Sequence, residues 1–217
     1  MKHVTSWHLF EAENDTRELT PEQVEWLDKC TKGTWQVNPQ TGLVDVEGDF
    51  DCTHNLTDFN GVQFGVVGGD FGCSWNSLTS LKGAPQKVGG DFNCHNNQLT
   101  SLKGAPQEVG GYFWCHNNQL TSLEGAPQEV GGDFGCDAFE TKDWSKKGWL
   151  EIMKEGGDGA ELILTLLPEK ELDKWFKESP LDMDLLDELP EIKAGVLKRT
   201  GMRDISAVAR QMRKGII

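Results

Sequence analysis

Hydrophobic and polar positions repeat along the middle of this chain with a constant step of 21 residues. Five phenylalanines and five cysteines keep that step, and each Cys stands two positions after its Phe. They are Phe50, Phe71, Phe92, Phe113 and Phe134, and Cys52, Cys73, Cys94, Cys115 and Cys136. Alternation of these residues with polar or small ones predicts strands with one buried face. Near-identical units at a fixed period predict a solenoid, in which each coil buries its apolar side chains against its neighbours.

Turn-forming residues separate the predicted strands. An Asn follows each of the first four repeat cysteines by three positions (Asn55, Asn76, Asn97 and Asn118). Its amide is expected to bond to the backbone of its own coil and of the next one. A Gly-Ala-Pro segment then turns the chain back, and a Gly-Gly pair before each strand predicts a second corner with positive φ. The first copy is atypical, and residues 43–48 are expected to pair with its strand and close that end.

These repeats resemble the leucine-rich repeat family. Its motif, L-x-x-L-x-L-x-x-N-x-L, is matched in one copy at its second, third, Asn and last positions by Phe92, Cys94, Asn97 and Leu99. The 21-residue period is similar to the short repeats of bacterial and bacteriophage members. The resemblance covers residues 43–137 and implies an α+β solenoid of about five coils with a parallel sheet. It implies almost nothing about function.

The segments on either side of the repeats are predicted to be helical. Before them, Thr20 is a predicted N-cap, Pro21 takes the first helical position and Gln23 completes a capping box. Residues 1–42 are therefore predicted to form an N-terminal helical cap, and residues 43–137 the solenoid. Residues 138–217 are predicted to form a C-terminal helical domain or a large cap. Its helices are expected over residues 144–155, 160–167, 169–178, 185–199 and 204–214.

Charge and composition narrow the function classes. The chain has 35 Asp and Glu against 21 Lys and Arg, for a net charge of −14. This acidity argues against direct binding to nucleic acid, because the phosphates would be repelled. We find no apolar run long enough to span a bilayer and no secretory signal, so the sequence predicts a cytoplasmic protein, in the host cell if it is phage-encoded. Residues 192–217 carry seven basic residues and one acidic one, and a solvated cap helix is expected there rather than a DNA-reading one.

Candidate chemistry is sparse. A row of single cysteines lacks the C-x-x-C pairs of zinc or redox sites, so the ladder is expected to be buried and reduced. His95 and His116 stand in register and face outwards, but two ligands make a poor metal site, and surface histidines are expected instead. No nucleophile, phosphate-loop or metalloprotease motif is present. The sequence therefore predicts no catalytic residue, no metal and no cofactor.

The outward strand positions hold the remaining candidates. Tyr112 and Trp114 replace the Asp and the small or polar residue that other copies carry there, and Trp75 lies just beyond the second strand. The predicted binding residues are Tyr112, Trp114, Trp75, His95, His116, Asp70, Asp91 and Asn93. Exposed aromatic residues on a solenoid face indicate a binding hot spot. The alternative, which the sequence leaves open, is a contact with the protein's own C-terminal helices.

Two function classes follow from this surface. The first is a non-enzymatic module that recognises a protein partner through the exposed aromatic residues. The second is an acidic decoy or inhibitor that occupies a basic nucleic-acid site on a host protein, as the net charge and the in-register Asp70, Asp91 and Asp133 suggest. An enzyme with its site in the helical region is a third, weaker class.

Overall fold

The repeats form a β-solenoid of about four turns with two sheets of mostly parallel strands. The computed structural model describes residues 18–52, 55–155 and 157–166. Each of the first four repeats contributes one short strand to each sheet, so every complete turn borders the core on two sides. Sheet A contains, in spatial order, β1 (Thr31–Lys32), β4 (Asp49–Asp51), β6 (Phe71–Gly72), β8 (Phe92–Asn93), β10 (Phe113–Trp114), β12 (Phe134–Cys136) and β13 (Phe139–Thr141). Sheet B contains β11 (Glu129–Val130), β9 (Glu108–Val109), β7 (Lys87–Val88), β5 (Phe64–Val67), β3 (Val44–Val46) and β2 (Trp35–Val37).

The repeated phenylalanines form a ladder through the core, as the 21-residue period predicts. Equivalent residues pair in parallel register, for example Phe92 with Phe113. Consecutive rings stack with centroids 5.1–5.5 Å apart and planes within 17° of each other. All five rings are fully buried. Stacking coils therefore buries the large side chains that one coil cannot bury alone.

A second ladder of asparagines joins the coils, and this confirms the prediction with a change of direction. The side-chain amide of Asn97 donates to the carbonyl oxygens of Cys94, in its own coil, and of Cys73, in the preceding one (3.1 and 2.9 Å). Its Oδ1 accepts the backbone N–H of Leu78 in the preceding coil (3.0 Å). Asn76 and Asn118 make the same set of bonds. The partner is thus the preceding coil, not the next one.

Positive φ falls at a different corner from the one predicted. The glycines of the Gly-Ala-Pro turns, such as Gly104 (φ +92°), adopt it, whereas the Gly-Gly pairs do not. The pairs are needed for close approach instead. A Cβ on Gly110 would lie 2.1 Å from the carbonyl oxygen of Gly89 in the preceding coil. The Gly-Gly corner is therefore a site where backbones of successive coils touch.

The start of the solenoid also differs from the prediction. Residues 43–48 do not pair with the first repeat strand; β3 pairs in parallel with β5 in sheet B, and β4 is instead covered by the antiparallel strand β1. Asn55 is exposed and has a left-handed φ of 60°, so it does not belong to the buried asparagine ladder. The prediction assumed one sheet, and the second sheet supplies the partner for residues 43–48.

The solenoid makes about four turns where five coils were predicted. The reason is the course of the chain after the last repeat strand. After β12 the chain reverses and β13 pairs with it antiparallel, so the fifth copy never completes a coil. Asp137 supplies the hydrogen-bond acceptors that the missing coil would provide. Its carboxylate accepts the backbone N–H groups of Asn117 and Asn118 (2.6 and 3.1 Å).

Helices are present at both ends of the described solenoid. Helix α1 (Pro21–Cys30) has the predicted capping box at Thr20 and Gln23, and its buried Leu27 joins the core. Helices α2 (Lys146–Glu155) and α3 (Gly157–Leu166) confirm the first two helices expected beyond residue 138. The other three predicted helices and the basic tail lie outside the described residues. No helix in the described part of the chain has the length and apolar character needed to cross a bilayer.

Aromatic side chains close the phenylalanine ladder at each end. Trp26 of α1 meets Phe50 edge-on at 5.2 Å. At the other end, the ring of Trp144 stacks on Phe134 with centroids 3.8 Å apart, and its Nε1–H donates to the carbonyl oxygen of Pro127 (2.8 Å). Trp144 therefore covers the last ring of the ladder.

Candidate functional site

The predicted binding residues lie together on the outer face of sheet A and the corner beyond it. In this sheet, Gly72, Asn93 and Trp114 occupy one row, because their strands pair in register. A buried Phe precedes each residue of this row and a buried Cys follows it, so the row itself faces outwards. We call this surface, with the rings of Trp75, His95, Tyr112, Trp114 and His116, the aromatic face.

Three rings stack along β10 and the residues that flank it. Tyr112 and Trp114 have centroids 5.5 Å apart with planes at 25°, and Trp114 and His116 are 5.5 Å apart at 29°. Trp114 reaches over the next coil, since a Cβ on Gly135 would lie 2.5 Å from its ring. Gly135 therefore provides the space in which the indole lies. The three rings support one another and form a preorganised apolar patch.

Trp75 is held in a backbone conformation that suits Asn better than Trp. Its φ is 57°, and the residues at the equivalent corner, Asn96 and Asn117, have φ of 54° and 53°. Asn adopts this left-handed region readily, whereas a bulky residue does so at a cost. The side chain gains little burial in return, because Trp75 is 67% exposed and meets His95 only edge-on at 6.2 Å. A strained, exposed aromatic residue is a feature that folding does not explain.

Replacing Trp75 with the residue of the neighbouring coils should stabilise the protein. We expect Trp75→Asn to raise the free energy of unfolding by about 0.5–1 kcal/mol, because the left-handed strain is relieved and little burial is lost. Urea denaturation measures the change. The mirror variant Asn96→Trp should destabilise by a similar amount. A loss of stability in Trp75→Asn would contradict the strain assigned to this corner.

The protein's own described helices leave the aromatic face open. The buried residues of α2 and α3, among them Ile152 and Ile163, join the core cluster that contains Trp144. Tyr112 is still 44% exposed. Among the described residues, then, the alternative of an intramolecular contact with the C-terminal helices finds no support.

The aspartates beside the aromatic residues also serve the fold. The backbone N–H of Asp91 donates to Oδ1 of Asp70 (2.8 Å), and that of Tyr112 donates to Oδ1 of Asp91 (2.8 Å). Each carboxylate lies over a corner glycine of the next coil: a Cβ on Gly90 would lie 2.1 Å from Oδ1 of Asp70. The Gly-Gly-Asp sequence thus forms a side-chain ladder between coils, a role that sequence analysis missed. The 21-residue register of these aspartates was the available signal.

The two histidines belong to this surface in different ways: His116 stacks on Trp114, whereas His95 meets Trp75 edge-on. Burial, followed by the nearby charge of His116, lowers the pKa of His95, so its imidazole is neutral at pH 7. Within the described residues, no group of three or more His, Cys, Asp or Glu side chains is arranged to hold a metal ion. His95 and His116 therefore contribute aromatic and hydrogen-bonding surface.

The cysteine ladder is buried and free of disulfides, as predicted. All five repeat cysteines are buried thiols, while Cys30 is half-buried. Burial raises the pKa of Cys73, Cys94 and Cys115. At the end of the ladder, the interaction with the Cys115 side chain lowers the pKa of Cys136. The Sγ–H of Cys115 donates to the carbonyl oxygen of Gly135 at 3.3 Å, which is a structural use of the thiol.

Thiol labelling should separate Cys30 from the ladder. In native protein at pH 8 we expect Cys30 to react with a thiol reagent before the five buried thiols, because it is the accessible one, although burial raises the pKa of its thiol. In denaturant all six should react. The control variant Cys30→Ser should show no early-reacting thiol. Early labelling of Cys94 in native protein would contradict its placement in the core.

A second concave surface lies at the Gly-Ala-Pro turns. It encloses about 610 Å³ and includes Lys82, Gln86, Lys103 and Gln107 in its lining. Lys103 forms an ion pair with Glu124 of the next coil (3.0 Å). Lys87 of β7 forms an ion pair with Glu108 of β9. The sequence pattern does not predict this groove. These four lining side chains are exposed, which is typical of a solvated solenoid surface.

Comparison with known proteins leaves the site to be interpreted on its own geometry. No protein-family model, curated protein or solved structure matches this chain.

Proposed function

We propose that this protein is a non-enzymatic binding module that recognises a protein partner through the aromatic face. The single observation that carries the proposal is Trp75, which is both exposed and strained where the repeat otherwise places Asn. Interface hot spots are enriched in Trp and Tyr, and a preorganised ring cluster loses little side-chain entropy on binding. Tyr112 and Trp114 supply such a cluster beside Trp75.

The finer description of the fold belongs to the same proposal. We infer leucine-rich repeat coils closed by an N-terminal helical cap and a C-terminal helical domain. The core contacts of Leu27 in α1 and of Trp144 before α2 support closure at both ends. Exposed coil edges would otherwise present unpaired strand groups to solvent.

Site-specific photo-crosslinking tests whether a protein docks on the aromatic face. A photoreactive residue at Asn93 should form an adduct with a host protein in native extract, and the adduct should disappear when Trp75→Asn is added. The matched control is the same residue at Gln86, which lines the turn groove. Equal adducts from both positions, or an Asn93 adduct that survives Trp75→Asn, would contradict the proposal.

The acidic decoy is a second candidate, because Asp51, Asp70 and Asp91 form neighbouring negative charges on the same face. The two candidates differ in the importance of Trp114. For the captured partner, we expect Trp114→Ala to weaken binding by at least ~2 kcal/mol if the face is a hot-spot interface. A decoy acts through its charges, so it would keep its affinity in Trp114→Ala. Isothermal titration calorimetry of the unmodified protein and of Trp114→Ala with this partner decides between the two candidate functions.

A further inference from the structure

The charges of the solenoid are segregated between its two sides. The outward positions of β4, β6, β8, β10 and β12 and their flanking residues carry six aspartates and no Lys or Arg (Asp49, Asp51, Asp70, Asp91, Asp133 and Asp137). The repeats contain three lysines, Lys82, Lys87 and Lys103, and these lie on sheet B or at the turn groove. Two of the three are already paired with glutamates. The sheet A strands β4 to β12 therefore make the aromatic face negative and hold no cation, and at the first edge of sheet A a single lysine, Lys32 of β1, lies opposite Asp49.

Carboxylates and rings alternate on this surface at close quarters. A Cβ on Gly72 would lie 3.0 Å from Oδ1 of Asp51, so that carboxylate reaches into the coil that carries Asp70 and Trp75. Two coils further on and in the same direction, Asp91 reaches the next coil, where it accepts the backbone N–H of Tyr112. A guanidinium or ammonium group is attracted both by a carboxylate and by the face of an aromatic ring. Rings beside unneutralised carboxylates are thus suited to cationic side chains.

We propose that the segment recognised by the aromatic face is basic: an extended, Lys- and Arg-containing stretch of another protein. This inference depends on the proposed function, because it names the chemistry of the same partner. The five strands β4 to β12 span about 19 Å at ~4.8 Å per strand, which is about six extended residues at ~3.3 Å each. Stretched across the strands, such a segment can place alternate basic side chains against Asp51, Asp70 and Asp91. Nucleic acid and anionic membranes are repelled by the same charges.

A labelled peptide tests this chemistry directly on the full chain. The probe is a fluorescein-labelled 12-residue peptide that alternates Arg or Lys with Ser, and fluorescence anisotropy reports its binding. The triple variant Asp51→Asn, Asp70→Asn, Asp91→Asn should weaken binding about tenfold, because exposed ion pairs are lost one by one. Asn keeps a side-chain oxygen that can accept the backbone N–H bonds between coils. Trp75→Asn should weaken binding about two- to fivefold through the lost ring face.

A matched triple variant controls for net charge. Glu108→Gln, Glu124→Gln, Glu129→Gln removes three negative charges from sheet B and the turn, outside the aromatic face, and should leave the affinity unchanged. Equal losses in the two triple variants would show attraction to net charge alone and would overturn the proposal. A peptide in which Glu replaces each basic residue should not bind. Affinity that is unchanged by Trp75→Asn would also overturn the role of the rings.

The protein's own basic segment is the competing occupant. Residues 192–217 carry seven basic residues and one acidic one. If Arg210→Gln, Arg213→Gln, Lys214→Gln raises the peptide affinity tenfold or more, this segment occupies the face, and the assignment to another protein is overturned. An unchanged affinity supports it. This inference and the proposed function can fail separately. An Asn93 adduct that the basic peptide does not displace would overturn the inference but not the proposed function, because a protein of different chemistry would then be bound to the aromatic face.

Discussion

Gly110→Ala should lower the free energy of unfolding by about 3 kcal/mol or more, or prevent folding altogether. A Cβ at this position would lie 2.1 Å from the carbonyl oxygen of Gly89 and 3.0 Å from its carbonyl carbon. Neither backbone can withdraw easily. The N–H of Gly110 donates to the carbonyl oxygen of Val88 (2.9 Å), and the next residue, Gly111, donates to that of Gly90 (2.8 Å). Relief of the clash would separate two coils and break the hydrogen bonds that join them.

Gly42→Ala is the control that separates this clash from a general intolerance of alanine. Gly42 has a φ of +70°, and nothing lies within 4 Å of the position that a Cβ would take, so its substitution introduces only backbone strain. We expect a loss of about 1 kcal/mol there. Urea denaturation followed by circular dichroism measures both variants. Similar losses for the two would contradict the assignment of the Gly-Gly corner to close coil packing.

Asn97→Ala should have an effect of the same order, a loss of about 3 kcal/mol, because buried polar groups lose their partners. Its amide donates to the carbonyl oxygens of Cys73 and Cys94, and its Oδ1 accepts the N–H of Leu78. Asn97 is itself buried. Removing the side chain leaves polar backbone groups of two coils without their partner in the interior, and each such group costs about 1–3 kcal/mol.

Asn93→Ala is the matched control for the asparagine ladder. Asn93 lies in the preceding strand of the same coil but points outwards and is half-buried. We expect a change within about 0.5 kcal/mol, as is usual for surface substitutions. The two variants are compared by urea midpoint and by near-ultraviolet circular dichroism. A tolerated Asn97→Ala would mean that the ladder is not what holds successive coils together.

The repeat made it possible to predict, residue by residue, which side chains are buried and which are exposed. Phe92 and Cys94 recur at a fixed step and alternate with polar residues, which places them in the core, and the structure confirms it. Asn97 could be predicted as a coil-joining residue because a buried amide in a turn needs backbone partners. Its actual partners in the preceding coil depend on which neighbour its side chain leans towards, and no sequence pattern states that.

The second sheet could not be predicted from the sequence. Three of its strands, β7, β9 and β11, are two residues long, and two residues cannot show an alternating pattern. Residues 43–48 are predicted to pair with the first repeat strand because only one sheet is expected, and the second sheet supplies their actual partner. The Gly-Gly corner was attributed to positive φ, since glycine has two distinct uses, conformational freedom and close approach, and a sequence does not distinguish them.

The candidate site could be predicted in part. Tyr112 and Trp114 were found because they break the repeat at outward positions. Trp75 was aligned with Asn96 and Asn117, but its strain became visible only with the backbone, where a φ of 57° is measured. Asp70 and Asp91 were predicted as binding residues, and the structure adds their bonds to the next coil.

By itself, the sequence determined which residues share a row, because a 21-residue period repeats one environment in every coil. It also determined that the outward positions of β4, β6, β8, β10 and β12 and their flanking residues include aromatic residues and aspartates but no Lys or Arg. Only the tertiary structure decided which rows lie in contact, since this depends on whether each side chain points towards the preceding or the next coil. Trp114 points towards the next coil and lies over Gly135, and Asp70 likewise lies over Gly90. Stacked coils lie about 4.8 Å apart, so the choice of neighbour decides whether a side chain supports the fold, faces a ligand or does both.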